Sequence, residues 1–352
     1  MSAALSSVRR APNLQSPVVA IVGATGAVGA ELVACLEQRR FPVSSLRLFA
    51  SARSAGRTLT YAGRSLVVEE LREDALEGID LALFSAGSAT SKRYAPLLAE
   101  RGTIVVDNSS AFRMDPAVPL VVPEINPSAI AQHHGIIANP NCTAIVSIMP
   151  LWPIHRLNRV RRLIVSTYQA ASGAGAAAMN ELCESTRAHL AGAAFELKVF
   201  PHPYAFDVFS HNSPIDPASG YNGEETKVMQ ETRKILGDAS IRVTATCIRV
   251  PVLRAHSVSL NVECERPITP AEVREILRDA PGVELVDDAA QNYFPMPQDA
   301  TGHDAVLVGR IRQDVSDPTG CSIALFSAGD QLRKGAALNA VQIAEHLTTR
   351  RC

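Results

Sequence analysis

Val18 to Val22 is a short β-forming run that leads straight into Gly23-Ala24-Thr25-Gly26-Ala27-Val28-Gly29. Val28, Leu32, Cys35 and Leu36 then recur on one helical face. A strand, a glycine turn and an amphipathic helix in that order constrain the fold more than any other stretch of this chain. The glycines let the backbone approach a pyrophosphate closely, and the helix N-terminus beyond them attracts its charge. Gly23, Thr25, Gly26, Ala27, Val28 and Gly29 are therefore the expected cradle for a dinucleotide.

The pattern continues along the first half of the chain. Leu46 to Ala50, Leu66 to Glu69, Leu81 to Ser85 and Thr103 to Asp107 read as further strands, and Ser88 to Glu100 as a helix. Strands alternating with helices predict a parallel, doubly wound α/β sheet of the Rossmann type. After about residue 150 the texture changes. Leu163 to Gln169, Ile241 to Val250 and Ser257 to Glu263 are alternating strands joined by long loops and helices, which predicts an α+β domain with a mostly antiparallel sheet. The segment 200–223, rich in Pro, His and Asn, reads as a functional or interface loop. Gly335 to Leu347 reads as a helix with Ala337, Val341, Ala344 and Leu347 on one face. The expected organisation is a loose tail over 1–16, a nucleotide-binding domain over 17–146 plus 331–352, and a catalytic and dimerisation domain over 147–330.

Composition narrows the function classes. At 352 residues the chain is too long for one typical core. A net charge of −1 leaves no basic surplus for nucleic acid or an acidic membrane. No apolar run is long enough to span a bilayer, and the N-terminus lacks the apolar core of a signal peptide. The seven cysteines are odd in number and form no CxxC pair, which argues against a disulfide framework and a zinc site. These features place the chain in the cytoplasm, with small-molecule substrates and no metal.

The end of the second strand separates NAD from NADP. An NAD site usually carries an acid there for the ribose 2′-OH. Here Leu46 to Ala50 is followed by Ser51-Ala52-Arg53-Ser54. Hydroxyls and a guanidinium suit a 2′-phosphate, so Ser51, Arg53 and Ser54 point to NADP.

Cys142 is the expected nucleophile. It lies in Asn139-Pro140-Asn141-Cys142-Thr143-Ala144, where a strand-like run (135–138) ends and a helix-like run (144–149) begins. A helix N-terminus favours a thiolate, which is the reactive form. His256 opens the alternating strand His256, Val258, Leu260, Val262 and is the expected acid/base, suited to take the thiol proton. Arg249 ends the apolar face of Ile241, Val243, Ala245 and Cys247, and its planar fork fits a carboxylate. Gln169 ends a strand just before Ser172 and Gly173 and could orient an acyl intermediate, while the small residues let backbone approach the cofactor. Glu224 and Lys227 share a helix face by i, i+3 spacing.

GATGAVG, SARSAG (51–56), FSAGS (84–88), DNSSAFR (107–113), NPNCTA (139–144), YQAASGAG (168–175), RVPVLRAHS (249–257) and LRKGAALNAVQIAE (332–345) together resemble the aspartate-β-semialdehyde dehydrogenase family. The resemblance covers almost the whole chain after the tail, in the family's order. It implies a fold similar to glyceraldehyde-3-phosphate dehydrogenase and a homodimer or homotetramer. It also implies NADPH-dependent reduction of β-aspartyl phosphate to the semialdehyde through a Cys142 thioester. By the same resemblance Arg113 and Lys227 bind phosphate, and Asn108 belongs to the substrate site. Arg249 takes the substrate α-carboxylate, Glu224 or Glu225 meets the amine, and Asn339 reaches the nicotinamide. N-acetyl-γ-glutamyl-phosphate reductase shares the fold and the Cys/His pair, but the NCTA and RVPVLRAHS segments fit it poorly. A CoA-thioester reductase is a further rival, and so is a non-catalytic homologue. The usual mark of the latter is loss of the Cys, Gln, Arg or His, and all four are present.

Overall fold

The computed structural model describes residues 11–349. Residues 1–10 of the expected tail lie outside them. The rest of that tail is not loose: the Asp80 carboxylate accepts from the Asn13 and Val18 amides at 2.9 Å each, and Leu14 packs on the core. The chain forms two compact units. One comprises the residues up to Pro140 and those from Ala337 onward, and the other spans Asn141–Ala336.

The first unit holds β1 (Val18–Val22), α1 (Ala27–Gln38), β2 (Ser45–Ala50), β3 (Thr58–Tyr61), β4 (Arg64–Glu70), β5 (Leu81–Phe84), α2 (Ser88–Glu100), β6 (Ile104–Asp107), β7 (Ile136–Ala138) and the last helix, α8 (Leu338–Thr349). Its sheet runs β3-β4-β2-β1-β5-β6-β7, parallel except for the β3–β4 hairpin. Alternate strand residues serve opposite cores, as the two-residue period of a strand requires. Val19, Ile21, Leu81 and Leu83 pack with Leu32 and Leu36 of α1 and Val341 and Ala344 of α8. Ala20, Val22, Ala82 and Phe84 pack with Tyr94, Ala95 and Leu98 of α2. The sheet is doubly wound, as expected. The β3 strand was not expected. It reverses into β4 through Ala62 and Gly63, both at positive φ, a turn usually marked by Asn-Gly rather than Ala-Gly.

The second unit contains α3 (Cys142–Leu157), β8 (Val160–Gln169), α4 (Ala176–Leu190), β9 (Phe209–Ser210), α5 (Gly223–Leu236), β10 (Arg242–Arg249), β11 (His256–Cys264), α6 (Pro270–Arg278), β12 (Val283–Leu285), α7 (Pro297–Ala300), β13 (Val306–Gln313) and β14 (Ser322–Gly329). Its sheet order is β12-β13-β14-β11-β8-β10-β9, with four antiparallel and two parallel pairings. The units divide at 140/141 and 336/337 rather than at the expected 146/147 and 330/331, because α3 belongs whole to the second unit. The helix expected to stop at Met149 runs to Leu157 through Pro150 and Pro153. Interior prolines each cost a backbone hydrogen bond. Burial of nearly every residue from Thr143 to Leu151 offsets that cost.

Candidate active site

In the first unit the glycine turn is packed to its limit. Gly23 has φ +91, and a Cβ there would sit 2.9 Å from the Ser85 backbone. A Cβ on Gly29 would lie 2.2 Å from the Gly23 carbonyl oxygen. The Gly23 and Ala24 amides both donate to Phe49 O, which fixes the turn on β2. Gly26 caps α1 without a side chain, and the first turn carries no acid. The amides at Ala27, Val28 and Gly29 therefore begin the helix with no protein cap over them, the arrangement that holds a pyrophosphate. Past β2, Ser51 precedes a short 3-10 turn that carries an exposed Arg53 and a buried Ser54, with no acid between Leu46 and Ala55. These residues fit a dinucleotide with a 2′-phosphate.

Arg113 is buried in the same unit, with Nε donating to Asn139 O (3.0 Å) and Nη2 to Asn108 O (2.7 Å). Asn108 donates Nδ2 to Phe84 O, while its Oδ1 is buried with no partner among the described residues. Asn339 is wholly buried, and its Nδ2 donates to Val121 O at 3.0 Å and to Asn139 Oδ1 at 2.7 Å, which fixes the amide within this unit.

In the second unit three neighbouring strands deliver side chains to one end of the sheet. The parallel register sets Arg249, last in β10, beside Gln169, last in β8, and His256 opens the antiparallel β11 at that same end. All three are buried. Cys142 occupies the first position of α3, whose cap Asn141 accepts from Thr143 N and Ala144 N at 3.0 and 3.1 Å. Its Sγ lies 3.7 Å from His256 Nε2. Gly335 makes the approach possible, since a Cβ there would sit 2.8 Å from Cys142 Cβ. A Cβ on Gly173 would lie 2.9 Å from His256 Cε1 and 3.1 Å from Arg249 Nη1. Gly173, expected at the cofactor, thus clears the space beside His256 and Arg249. Ser172 is buried and accepts from Gln331 Nε2.

The ring state of His256 follows from its contacts. The Ala170 amide donates to Nδ1 at 3.0 Å, so a neutral ring carries its proton on Nε2, facing the sulfur. Burial drives its pKa down to about 3, and the Arg249 guanidinium acts in the same direction. The ring is therefore neutral at physiological pH. In that tautomer Nε2–H points at the sulfur as a donor. Such a group stabilises a thiolate and, equally, an oxyanion formed beside it.

Glu224 and Lys227 meet at 3.3 Å, but not as a solvated pair. Glu224 is buried and its Oε1 accepts from Asn141 Nδ2 (3.0 Å) and Thr143 Oγ1 (3.3 Å). Gln169 Nε2 donates to Thr143 Oγ1 at 2.9 Å. Burial alone would raise the Glu224 carboxyl, yet His211, Lys227 and the Asn141 amide outweigh it and hold it at about 2. Glu225 is spent on the backbone: its oxygens accept from Asn222 N and Cys247 N. Of the two acids, Glu224 is the one that faces the site.

The semialdehyde dehydrogenase NAD binding domain model matches residues 18–133, and the semialdehyde dehydrogenase dimerisation domain model matches 151–334. The aspartate-semialdehyde dehydrogenase of Synechocystis is 54% identical over 96% of this chain and 99% of its own length. That of Aquifex aeolicus is 49% identical over 94% and 97%. The crystal structure of aspartate semialdehyde dehydrogenase II from Vibrio cholerae, complexed with ASA, superposes with a TM-score of 0.91 at 43% identity, covering 95% of this chain and 98% of that one.

The chain belongs to the aspartate-semialdehyde dehydrogenase family.

It is an oxidoreductase of that family with an NAD(P)-binding domain and a dimerisation domain; N-acetyl-γ-glutamyl-phosphate reductase is not favoured. Among the described residues no helix is long and apolar enough to cross a membrane, and no cluster of His, Cys, Asp or Glu could hold a metal. Sequence reading of this family member missed three supports of the site. Asn141 caps α3 and binds Glu224. Glu231, two turns along α5 from Glu224, accepts from the Asn141 amide at 2.6 Å while buried. His211 touches Arg249. For Glu231 a signal existed: an acid at i, i+7 from Glu224 shares its helix face. For His211 there was only its place in the segment 200–223.

Proposed function

We propose that this protein catalyses the NADPH-dependent reductive dephosphorylation of L-aspartyl-4-phosphate to L-aspartate-4-semialdehyde, a step in making lysine, diaminopimelate, methionine, threonine and isoleucine. The observation that carries this is Cys142 at the start of α3 with His256 Nε2 3.7 Å from its sulfur. NADPH, when bound at the Gly23–Gly29 turn with its 2′-phosphate near Ser51 and Arg53, supplies hydride. The Cys142 thiolate attacks the acyl carbon, the carbon–oxygen bond to phosphate breaks, and phosphate leaves with the electron pair. His256 Nε2–H steadies the oxyanion formed beside it. After reduction the carbonyl re-forms, the carbon–sulfur bond breaks and the thiolate returns. Gln169 orients the acyl group. Arg249 holds the substrate carboxylate, Glu224 the ammonium, and Lys227, Arg113 and Asn108 serve the phosphate.

The test is NADP reduction with aspartate semialdehyde and inorganic phosphate. Cys142→Ala should lower turnover by at least about 10⁴-fold with nucleotide binding retained. Turnover that requires CoA instead of phosphate would falsify the acyl-phosphate reading, and turnover that survives in the variant would remove Cys142 as nucleophile.

We also propose a cytoplasmic homodimer. The face of the second sheet opposite its covering helices leaves Tyr168 and Thr246 exposed and Ile164, Ile248 and Phe326 partly exposed, a surface suited to a second copy. Light scattering should give the mass of two chains; a monomer at micromolar concentration would count against this.

A further inference from the structure

Arg249 differs from three other arginines of the second unit. Arg254, Arg274 and Arg333 each pair with an aspartate: Asp330 at 2.8 Å, Asp287 at 2.7 Å and Asp304 at 2.6 Å. Arg249 is only 3% exposed, yet no carboxylate among the described residues pairs with it. Nη1 donates to Ala170 O at 3.1 Å, Nη2 meets His211 Nε2 at 2.9 Å, and the buried Nε has no partner. Its guanidinium lies 5.7 Å from the Phe200 ring centroid.

We propose that His211 is a positioning residue for substrate recognition: it fixes Arg249 through an uncharged hydrogen bond and so leaves the whole guanidinium charge for the substrate carboxylate. The inference rests on the assignment of Arg249 to that carboxylate.

A guanidinium has no acceptor, so the nitrogen facing it must present a lone pair. The proton of the neutral ring is then on Nδ1, whose acceptor is Ser213 Oγ at 3.1 Å. In that tautomer the Ser213 amide, 3.2 Å from Nδ1, cannot donate to it. Ser213 Oγ donates onward to Asn222 Oδ1 at 3.3 Å and accepts from Glu224 N at 3.0 Å. Asn222 caps α5. One chain of hydrogen bonds therefore runs from Arg249 to the helix turn that carries Glu224. The group proposed for the carboxylate and the group proposed for the amine are held at a common spacing by His211 and Ser213.

The residue type matters. A carboxylate at position 211 would form the bidentate pair that Arg249 is being reserved for, and the substrate would have to displace it. A simple apolar residue would leave the guanidinium free to turn. Imidazole positions without neutralising. Its own burial supports this: the ring is pushed down to about 4, with Arg249 and Lys227 acting in the same direction and Glu224 opposing, so it stays neutral where the enzyme works.

The experiment compares His211→Ala, His211→Gln and His211→Asp with wild type and Arg249→Ala, measuring KM for aspartate semialdehyde, KM for phosphate, kcat and thermal midpoint. Gln keeps an acceptor near the place of Nε2. We expect His211→Ala to raise the semialdehyde KM about tenfold while the phosphate KM stays within about twofold. His211→Gln should recover most of the loss, and His211→Asp should bind semialdehyde worse than Ala despite restoring an acceptor. An unchanged semialdehyde KM in His211→Ala, equal losses for semialdehyde and phosphate, or a His211→Asp variant as good as Gln each overturn the proposal. If His211→Ala does not fold, the Gln and Asp variants still decide it by their order. If Arg249→Ala itself leaves the semialdehyde KM unchanged, the Arg249 assignment fails, and that result is separable from the others.

Discussion

Two helix N-termini in this chain meet the same electrostatic situation and resolve it in opposite ways. At α1 the cap is Gly26, no side chain bonds to the first amides, and no acid stands in the first turn. At α3 the cap is Asn141, whose Oδ1 takes the Thr143 and Ala144 amides, and Cys142 fills the first helical position. A helix start carries about half a positive charge and unpaired amides. In the first unit that potential is left open for the phosphates of a ligand. In the second, a side chain consumes the spare amides, and the remaining field acts on the protein's own sulfur. A bare terminus keeps its amides for a ligand, and a capped one leaves its field to the side chain beside it.

The sharpest way to break the comparison is Gly29→Ala. The new Cβ would lie 2.2 Å from Gly23 O, so the bare turn must open. We expect NADPH to bind roughly a hundredfold more weakly, with iodoacetamide alkylation of Cys142 unchanged; slowed alkylation would show that the two termini are not independent. Next in size, Arg53→Ala should raise the KM for NADPH about tenfold and leave that for NADH alone. An equal effect on both cofactors would remove Arg53 from 2′-phosphate recognition. Smallest is Asn141→Ala, which should cost about 1 kcal/mol of stability by chemical denaturation and slow Cys142 alkylation severalfold. Nucleotide affinity is expected to stay at the wild-type value; if it falls, capping serves more than the thiol.

These termini were not equally legible. The α1 turn announces itself because its function needs backbone, and glycine spacing after a strand records a backbone path. Most strand limits of the first unit, and those of α2, emerged within a residue or two for the same reason, although β3 was missed and α8 begins three residues after the expected Gly335: local period reports local structure. The α3 terminus was legible only in part. The run after Cys142 marked a helix from Ala144, two residues late, but Pro150 and Pro153 concealed its length, since local propensity cannot anticipate how thoroughly that helix is buried. The network around Cys142 was hidden further still. Asn141 meets Glu231 across 90 residues and Arg249 meets His211 across 38, and no periodicity encodes such pairs. The ring state of His256 turned on one backbone amide, that of Ala170, which no side-chain pattern reports.

The last helix bears on how the molecule is made. Val341, Ala344 and Leu347 of α8 complete the core that contains Leu32 and Leu36 of α1. During synthesis the ribosome therefore releases a nucleotide-binding sheet with one face incompletely covered, then the whole second unit, and only then the helix that closes it. The second unit, continuous in sequence, can fold before the first is finished. Loss of α8 would leave that sheet permanently open on one side, and an exposed apolar sheet face of that kind is a substrate for chaperones and proteases.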